Sequence, residues 1–190
     1  ISVPSGNLGN LTAGIIAMKM GLPVKKFIAS TNINNIIPEY LRTGLFLPSS
    51  SVQTISNAMD VGNPSNFERI LDLFHHSFDK VKDAIIGYYF TDVETKSAMR
   101  LMYSKFNYIV DPHGAVGYLG LMNYLNSHSE KKGVFLGTAH PAKFLNVVKP
   151  TLNTDIKIPK KLQSFMMMKK KSVQILNLYE NFKNQILEKK

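Results

Sequence analysis

Short apolar runs alternate with helix-length segments along the 190 residues, and that rhythm leaves few folds open. Val3 sits in a first short strand, and residues 11–20 have helix length, with Ala13, Ile16, Ala17 and Met20 on one side. Gly21 and Pro23 punctuate its end, because Gly adopts left-handed backbone readily and Pro cannot extend a helix. Residues 24–30 form a β-branched and aromatic run of strand length. Ser65-x-x-Glu68 has the pattern of a capping box and opens a helix to about Phe78, and Thr91-x-x-Glu94 opens another to about Phe106. Asp111-Pro112-His113 leads into a helix over residues 114–125. Gly133 precedes a strand at 134–136, and Pro141 starts a helix that reaches Val148. Strands joined by helices of this length predict an α/β fold, a largely parallel sheet with flanking helices.

The chain opens on Ile1 and reaches a Gly-rich loop by Ser5, too soon to have built a sheet for that loop to stand on. Either later strands supply the sheet, or the chain is part of something longer. With no Cys, a disulfide framework, a Cys-based zinc site and a thiol nucleophile are all excluded. No apolar run approaches the ~18 residues that a membrane span needs. The first residues carry no charged-then-apolar pattern of a secretory signal, so a cytoplasmic location is expected.

Net charge is +10, and it is uneven: from Lys157 onward there are nine Lys against Glu180 and Glu188. Such a tail invites a nucleic-acid or membrane reading. It has no Arg, however, the residue on which base-edge and phosphate-fork recognition lean. Val173, Leu176, Tyr179, Phe182 and Ile186 recur there at helical spacing. The plainer expectation is therefore a Lys-rich solvated face on a C-terminal helix docked to the body. Residues 1–154 read as one catalytic region and 155–190 as this helical segment.

Two loops are candidates for chemistry. Pro4-Ser5-Gly6-Asn7-Leu8-Gly9-Asn10 runs from a strand into a helix. Gly6 and Gly9 can take positive φ, and successive N–H groups aimed from a helix N-terminus cradle a phosphate. A plain tight connection explains the same glycines, and the loop is neither G-x-G-x-x-G nor a P-loop. The second loop, residues 136–144, places Thr138 and His140 at the carboxyl end of a strand, where open α/β sheets bind ligands. Its ordinary alternatives are a helix cap for Thr138, a backbone partner for His140 and a solvated Lys143.

Taken together, the two loops resemble the threonine synthase family, pyridoxal-phosphate enzymes of the tryptophan-synthase-β-like fold (fold type II). The likeness runs through residues 5–14, 21–25 and 27–29, then Ser56-Asn57-Ala58-Met59-Asp60-Val61, and again 135–144, in order. It implies a carbon–oxygen lyase of amino-acid biosynthesis that converts O-phospho-L-homoserine and water to L-threonine and phosphate. By the same resemblance Gly6, Asn7, Leu8, Gly9 and Asn10 would hold the cofactor phosphate through their amides, with Ser5 lining that turn. Thr138 would set its hydroxyl on the pyridine nitrogen. Asn57, Asp60, His140 and Lys143 would shape the substrate pocket or hold its walls.

In that family the Schiff-base lysine belongs to a Phe-Lys-Asp-like segment well upstream of the phosphate loop. Phe78-Asp79-Lys80 has the wrong order and Phe182-Lys183-Asn184 lies in the tail, so no catalytic lysine is expected in this chain. The resemblance therefore implies the C-terminal part of such an enzyme, partnered by its N-terminal part and inactive alone. Another fold-type-II enzyme, an amino-acid deaminase or a sulfhydrylase-like synthase, shares the Gly-rich loop. A basic nucleic-acid-binding module is the alternative from a different class. Adjacent His75 and His76 make a poor metal pair on a helix, and no Gly-x-Ser-x-Gly elbow is present. Tyr88-Tyr89-Phe90 reads as core rather than as a base-stacking platform.

Overall fold

A computed structural model describes residues 1–188, which form two compact units, divided between Lys157 and Ile158. In the first unit strand β1 (Ser2–Pro4) leads into helix α1 (Gly9–Lys19), followed by β2 (Phe27–Thr31) and α2 (Ile36–Thr43). Helices α3 (Phe67–Leu73) and α4 (Phe78–Ala84) precede β3 (Ile85–Tyr89), and α5 (Asp92–Phe106), α6 (Pro112–Asn126) and α7 (Leu145–Leu152) complete the unit. The second unit holds α8 (Lys160–Met166) and α9 (Tyr179–Leu187).

The sheet is parallel, in the order β1-β2-β3, with Val3 opposite Ala29 and Ala29 opposite Gly87. Parallel neighbours need crossovers, which the helices supply. Later strands thus build the sheet beneath the first loop. The expected strand at 134–136 is reduced to a parallel bridge, Ser2 to Phe135. Ser2 N–H donates to Val134 O at 2.7 Å, and Leu136 N–H donates to Ser2 O at 3.0 Å. With Gly133 and Gly137 on either side, the run is too short to pair further.

Every residue of β1 and β2 is buried, as befits strands covered on both faces. On one side Leu11, Ile15, Phe27, Tyr40, Phe67 and Ile70 form the heart of the core. Helix α6 packs unusually close to the strands. A Cβ at Gly117 would lie 3.1 Å from Pro4 Cγ, and one at Gly120 would collide with the Ser30 hydroxyl. Ser2 Oγ donates to Gly117 O at 2.6 Å and lies 2.9 Å from Ser30 Oγ.

Several expectations are corrected. The face of α1 that is buried is Leu11, Thr12 and Ile15, whereas Ile16 is 44% and Met20 83% exposed. Apolar residues surround this helix nearly completely, so periodicity does not select a side. The selection comes from Phe27, whose ring edge would lie 2.7 Å from a Cβ on Gly14. Strand β2 begins at Phe27, three residues late, because a turn in which Val24 N–H donates to Leu22 O precedes it. The helix expected from Ser65 to about Phe78 ends at Leu73, before His75 and His76 with φ of 53° and 54°, and a second helix, α4, begins at Phe78 where the first was expected to end. Asn66, not Ser65, is the N-cap residue of α3, without a side-chain bond.

Where the start signals are purely local they hold. Thr91 and Glu94 form a complete capping box on α5, and Asp111 accepts from the His113 and Gly114 amides at the start of α6. Pro141 opens a 3-10 turn, Pro141–Phe144, before α7. Phe90 is buried, but Tyr89 at the end of β3 is 50% exposed, so only part of that aromatic run is core. In the second unit Val173 and Leu176 precede α9 and lie outside any helix, so the apolar stripe is helical only at Tyr179, Phe182 and Ile186. No described helix is long and apolar enough to cross a membrane.

Candidate functional site

The end of β1, the loop after it and the loop after Phe135 meet around a concavity of about 400 Å³. Pro4, Gly6, Asn7, Leu8, Gly9 and Asn10 form one wall, Ala58, Met59 and His113 a second, and Thr138, Ala139, Lys143 and Phe144 a third. The two candidate loops are therefore brought together.

The first loop reaches its shape differently from the expectation. Neither Gly6 nor Gly9 has positive φ; Leu8 does, at 63°. Left-handed backbone costs a non-Gly residue roughly 1–2 kcal/mol. Burying a Leu side chain contributes about 1.5–3 kcal/mol, and Leu8 is 3% exposed, so burial wins. Gly6 is needed for a different reason: a Cβ there would lie 2.7 Å from Met59 Cα and 2.9 Å from Ala58 O. Apart from its chain neighbours and its own helix backbone, a Cβ on Gly9 would meet nothing nearer than Asn66 Nδ2 at 3.9 Å, so its missing side chain leaves the mouth of α1 open.

The backbone bonding of this loop is equally informative. Ser5 N–H donates to Ser30 O at 2.8 Å, and Thr12 N–H to Leu8 O at 2.8 Å. Among the described residues, no protein group accepts from the intervening amides of Gly6, Asn7, Leu8, Gly9 and Asn10. No side chain caps α1, and its first turn holds no acid. Unpaired amides at the positive end of an eleven-residue helix are a ready anion site.

Asn7 is fixed from outside. Its Oδ1 accepts from Ser65 N–H at 2.7 Å and Ser65 Oγ at 3.1 Å, and its carbonyl accepts from Asn66 Nδ2 at 2.7 Å. Ser65, which sequence assigned to a capping box, thus serves as a strut for the loop. Ser5 is buried, its hydroxyl donates to Val3 O at 2.7 Å, and it stands behind the lining rather than on it.

In the other loop Thr138 is exposed on the concavity, and its hydroxyl has no partner among the described residues. Lys143 is exposed there as well. His140 is set apart from the lining: its Nδ1 accepts from Ala142 N–H at 3.1 Å and caps the 3-10 turn.

Asp60 does not line the concavity, and its carboxylate turns into the protein. Oδ1 accepts from Thr54 Oγ1 at 2.7 Å, Asn32 Nδ2 at 2.8 Å and Asn34 Nδ2 at 3.3 Å, and Oδ2 accepts from Thr54 N–H at 2.9 Å. Asn57 is exposed at the start of the 3-10 turn Asn57–Met59 and does not line the concavity. The segment's contribution is the backbone of Ala58 and Met59.

His113, which in sequence belongs to a helix start and shows no metal-ligand spacing with Asp or Glu, also lines the concavity. It is 3% exposed, with Nδ1 2.7 Å from Asp111 Oδ2 and Nε2 accepting from Ala58 N–H at 3.2 Å. Acceptance at Nε2 places the proton on Nδ1, directed at the carboxylate.

A strand end, a Gly-bearing loop with unpaired amides, a helix N-terminus and a facing polar loop define a phosphate-cofactor fold of the α/β type. The family model described as pyridoxal-phosphate dependent enzyme matches residues 1–138, and the chain belongs to that family. Its fold class is accordingly the α/β, fold-type-II class implied above, and pyridoxal phosphate is the family's cofactor. More particularly, the model of the C-terminal region of threonine synthase matches residues 114–186.

The threonine synthase of Buchnera aphidicola subsp. Baizongia pistaciae is 41% identical over 189 residues, covering 100% of this chain and 43% of the relative. The crystal structure of threonine synthase from Escherichia coli superposes with a TM-score of 0.89 at 37% identity, covering 100% of this chain and 43% of that one. The pyridoxal-phosphate-bound threonine synthase from Brucella melitensis gives 0.78 at 30% identity, covering 88% and 41%. The chain thus spans well under half the length of these relatives.

Proposed function

We propose that this chain forms the C-terminal part of a threonine synthase, acting on O-phospho-L-homoserine and water to give L-threonine and phosphate. The observation that carries this reading is the row of unpaired amides from Gly6 to Asn10 at the N-terminus of α1, facing Thr138 across one concavity. Those amides are the donor set a phosphate monoester requires, and the missing Cβ of Gly9 leaves the room it requires.

Bound there, pyridoxal phosphate would supply the electron sink for proton removal beside the substrate amino group and for loss of the substrate phosphate. The chain's own groups do the rest. The loop amides and the helix end hold the cofactor phosphate dianion. Thr138 offers a neutral hydroxyl to the ring nitrogen, which a carboxylate would keep protonated, and so moderates the sink. Lys143 brings positive charge to the rim, where a phosphorylated substrate enters. Asn57, Asp60 and His140 receive no substrate contact: Asp60 and His140 hold the walls. The lysine that attaches the cofactor is assigned to the remainder of the enzyme, since no segment here matches its family pattern. The reading carries with it a cytoplasmic enzyme.

The test is phosphate release from O-phospho-L-homoserine by the intact protein with pyridoxal phosphate, with threonine identified as the second product. Turnover of O-acetylserine with none of O-phospho-L-homoserine would instead favour a sulfhydrylase-like relative.

A further inference from the structure

We infer that His113 is a positioning residue that sets the width of the phosphate cradle by locking three separate elements to one imidazole ring. This rests on the cofactor reading above but concerns a residue outside the loop that would touch the phosphate.

The ring is tied on every side. Asp111, the N-cap of α6, accepts a hydrogen bond from His113 Nδ1–H at 2.7 Å and another from the His113 amide at 3.0 Å. The bare Nε2 accepts the Ala58 amide at 3.2 Å, reaching across 55 residues of sequence. The ring face meets Phe144 of the second loop, centroids 4.8 Å apart at 52°. Ala58 and Met59 in turn bear directly on Gly6, with no room between them for a methyl group.

A displacement at His113 is therefore passed through the Ala58–Met59 backbone to the amide row. The Asp111 carboxylate matters because it dictates which nitrogen is protonated. With the proton on Nε2, two N–H groups would face each other at Ala58, and the wall would move away. A histidine kept only for packing would need neither the carboxylate nor the acceptor.

Two substitutions in the intact protein separate these roles. His113→Phe keeps a ring against Phe144 and removes the acceptor, leaving the Ala58 amide without its protein partner in a part-buried setting. His113→Gln loses the ring but offers a carbonyl oxygen near the Nε2 position. Titration with pyridoxal phosphate, and separately with inorganic phosphate, should show affinity for both weakened on the order of tenfold or more in His113→Phe. His113→Gln should recover most of that loss.

The imidazole ¹⁵N shifts of the unsubstituted protein give a readout that depends on no variant folding. They should report Nδ1 protonated and Nε2 bare. Unchanged affinity in His113→Phe overturns the inference, as does failure of His113→Gln to recover affinity, or a proton found on Nε2. An unsubstituted protein that binds neither pyridoxal phosphate nor inorganic phosphate overturns the cofactor reading itself, and this inference with it.

Discussion

Gly9→Ala separates the needs of the fold from the needs of a ligand. Gly9 opens α1 with ordinary backbone φ, so alanine fits the conformation there. Beyond its chain neighbours and its own helix backbone, its Cβ would find no protein atom nearer than 3.9 Å. Replacing Gly by Ala at such a compatible site stabilises by about 0.4–1 kcal/mol, mostly by reducing the freedom of the unfolded chain. For a chain of this size that raises the thermal midpoint by about 1–4 °C. The same methyl occupies the space in front of the unpaired amides. Overpacking a filled site costs roughly 1–3 kcal/mol, equivalent to about a 5- to 150-fold weaker hold on the cofactor phosphate.

The contrasting variant is Gly6→Ala, whose Cβ would lie 2.7 Å from Met59 Cα. There backbone opposes backbone, so stability and binding should fall together. The assays are thermal unfolding of the cofactor-free protein and fluorescence titration with pyridoxal phosphate. Gly9→Ala should be at least as stable as the unsubstituted protein and bind the cofactor more weakly. If Gly9→Ala binds as tightly as the unsubstituted protein, the amide row is not the phosphate site. If it unfolds earlier than Gly6→Ala, the reading of the local geometry is wrong.

Asp60→Asn places an NH2 group against donors whichever way the amide turns, since Asn32, Asn34 and Thr54 all donate to the carboxylate. Losing a hydrogen bond to a charged group costs about 1.5–3 kcal/mol, so the thermal midpoint should drop by several degrees; an unmoved midpoint would contradict the inward placement of Asp60. Thr91→Ala should cost about 1 kcal/mol as a lost N-cap. The Thr91 hydroxyl, and then its amide, hold the Glu94 carboxyl below the usual glutamate range. A lowered folded-state value stabilises above that range and is lost as pH falls through it. The gap between unsubstituted and Thr91→Ala stabilities, followed by denaturant melts, should therefore narrow in acid; a gap constant with pH would show that the hydroxyl does not act through Glu94.

What could be read from sequence was whatever short spans of chain decide for themselves. Thr91 and Asp111 cap their helices with atoms two or three residues away, so their patterns suffice. The Ser65-x-x-Glu68 pattern is as good on paper, yet Ser65 is claimed by Asn7, 58 residues distant. The break between α3 and α4 falls at two histidines, with no Gly or Pro to mark it. Strand β3 was missed because Gly87 sits mid-strand, where it admits the close approach of Pro38 Cα. The site divides similarly. The Gly-rich loop and Thr138 stand out by composition and order. Asp60 and His113 acquire their roles only from partners that folding delivers, and the two glycines of the loop serve clearance rather than unusual backbone angles.

Helix α6 is fastened to the strands at its middle, where Gly117 and Gly120 admit Pro4 and Ser30 and the Ser2 hydroxyl reaches the Gly117 carbonyl. His113 stands one turn before that clamp, and the amide row begins two residues after Pro4. Both sides of the cradle are thus measured from a single datum, the short strand β1. Motions that tilt helix or sheet carry the two together, so the gap between them can hold its dimension while its surroundings breathe. A bulkier residue at Gly120, remote from the concavity, would collide with the Ser30 hydroxyl and disturb the sheet and the concavity together.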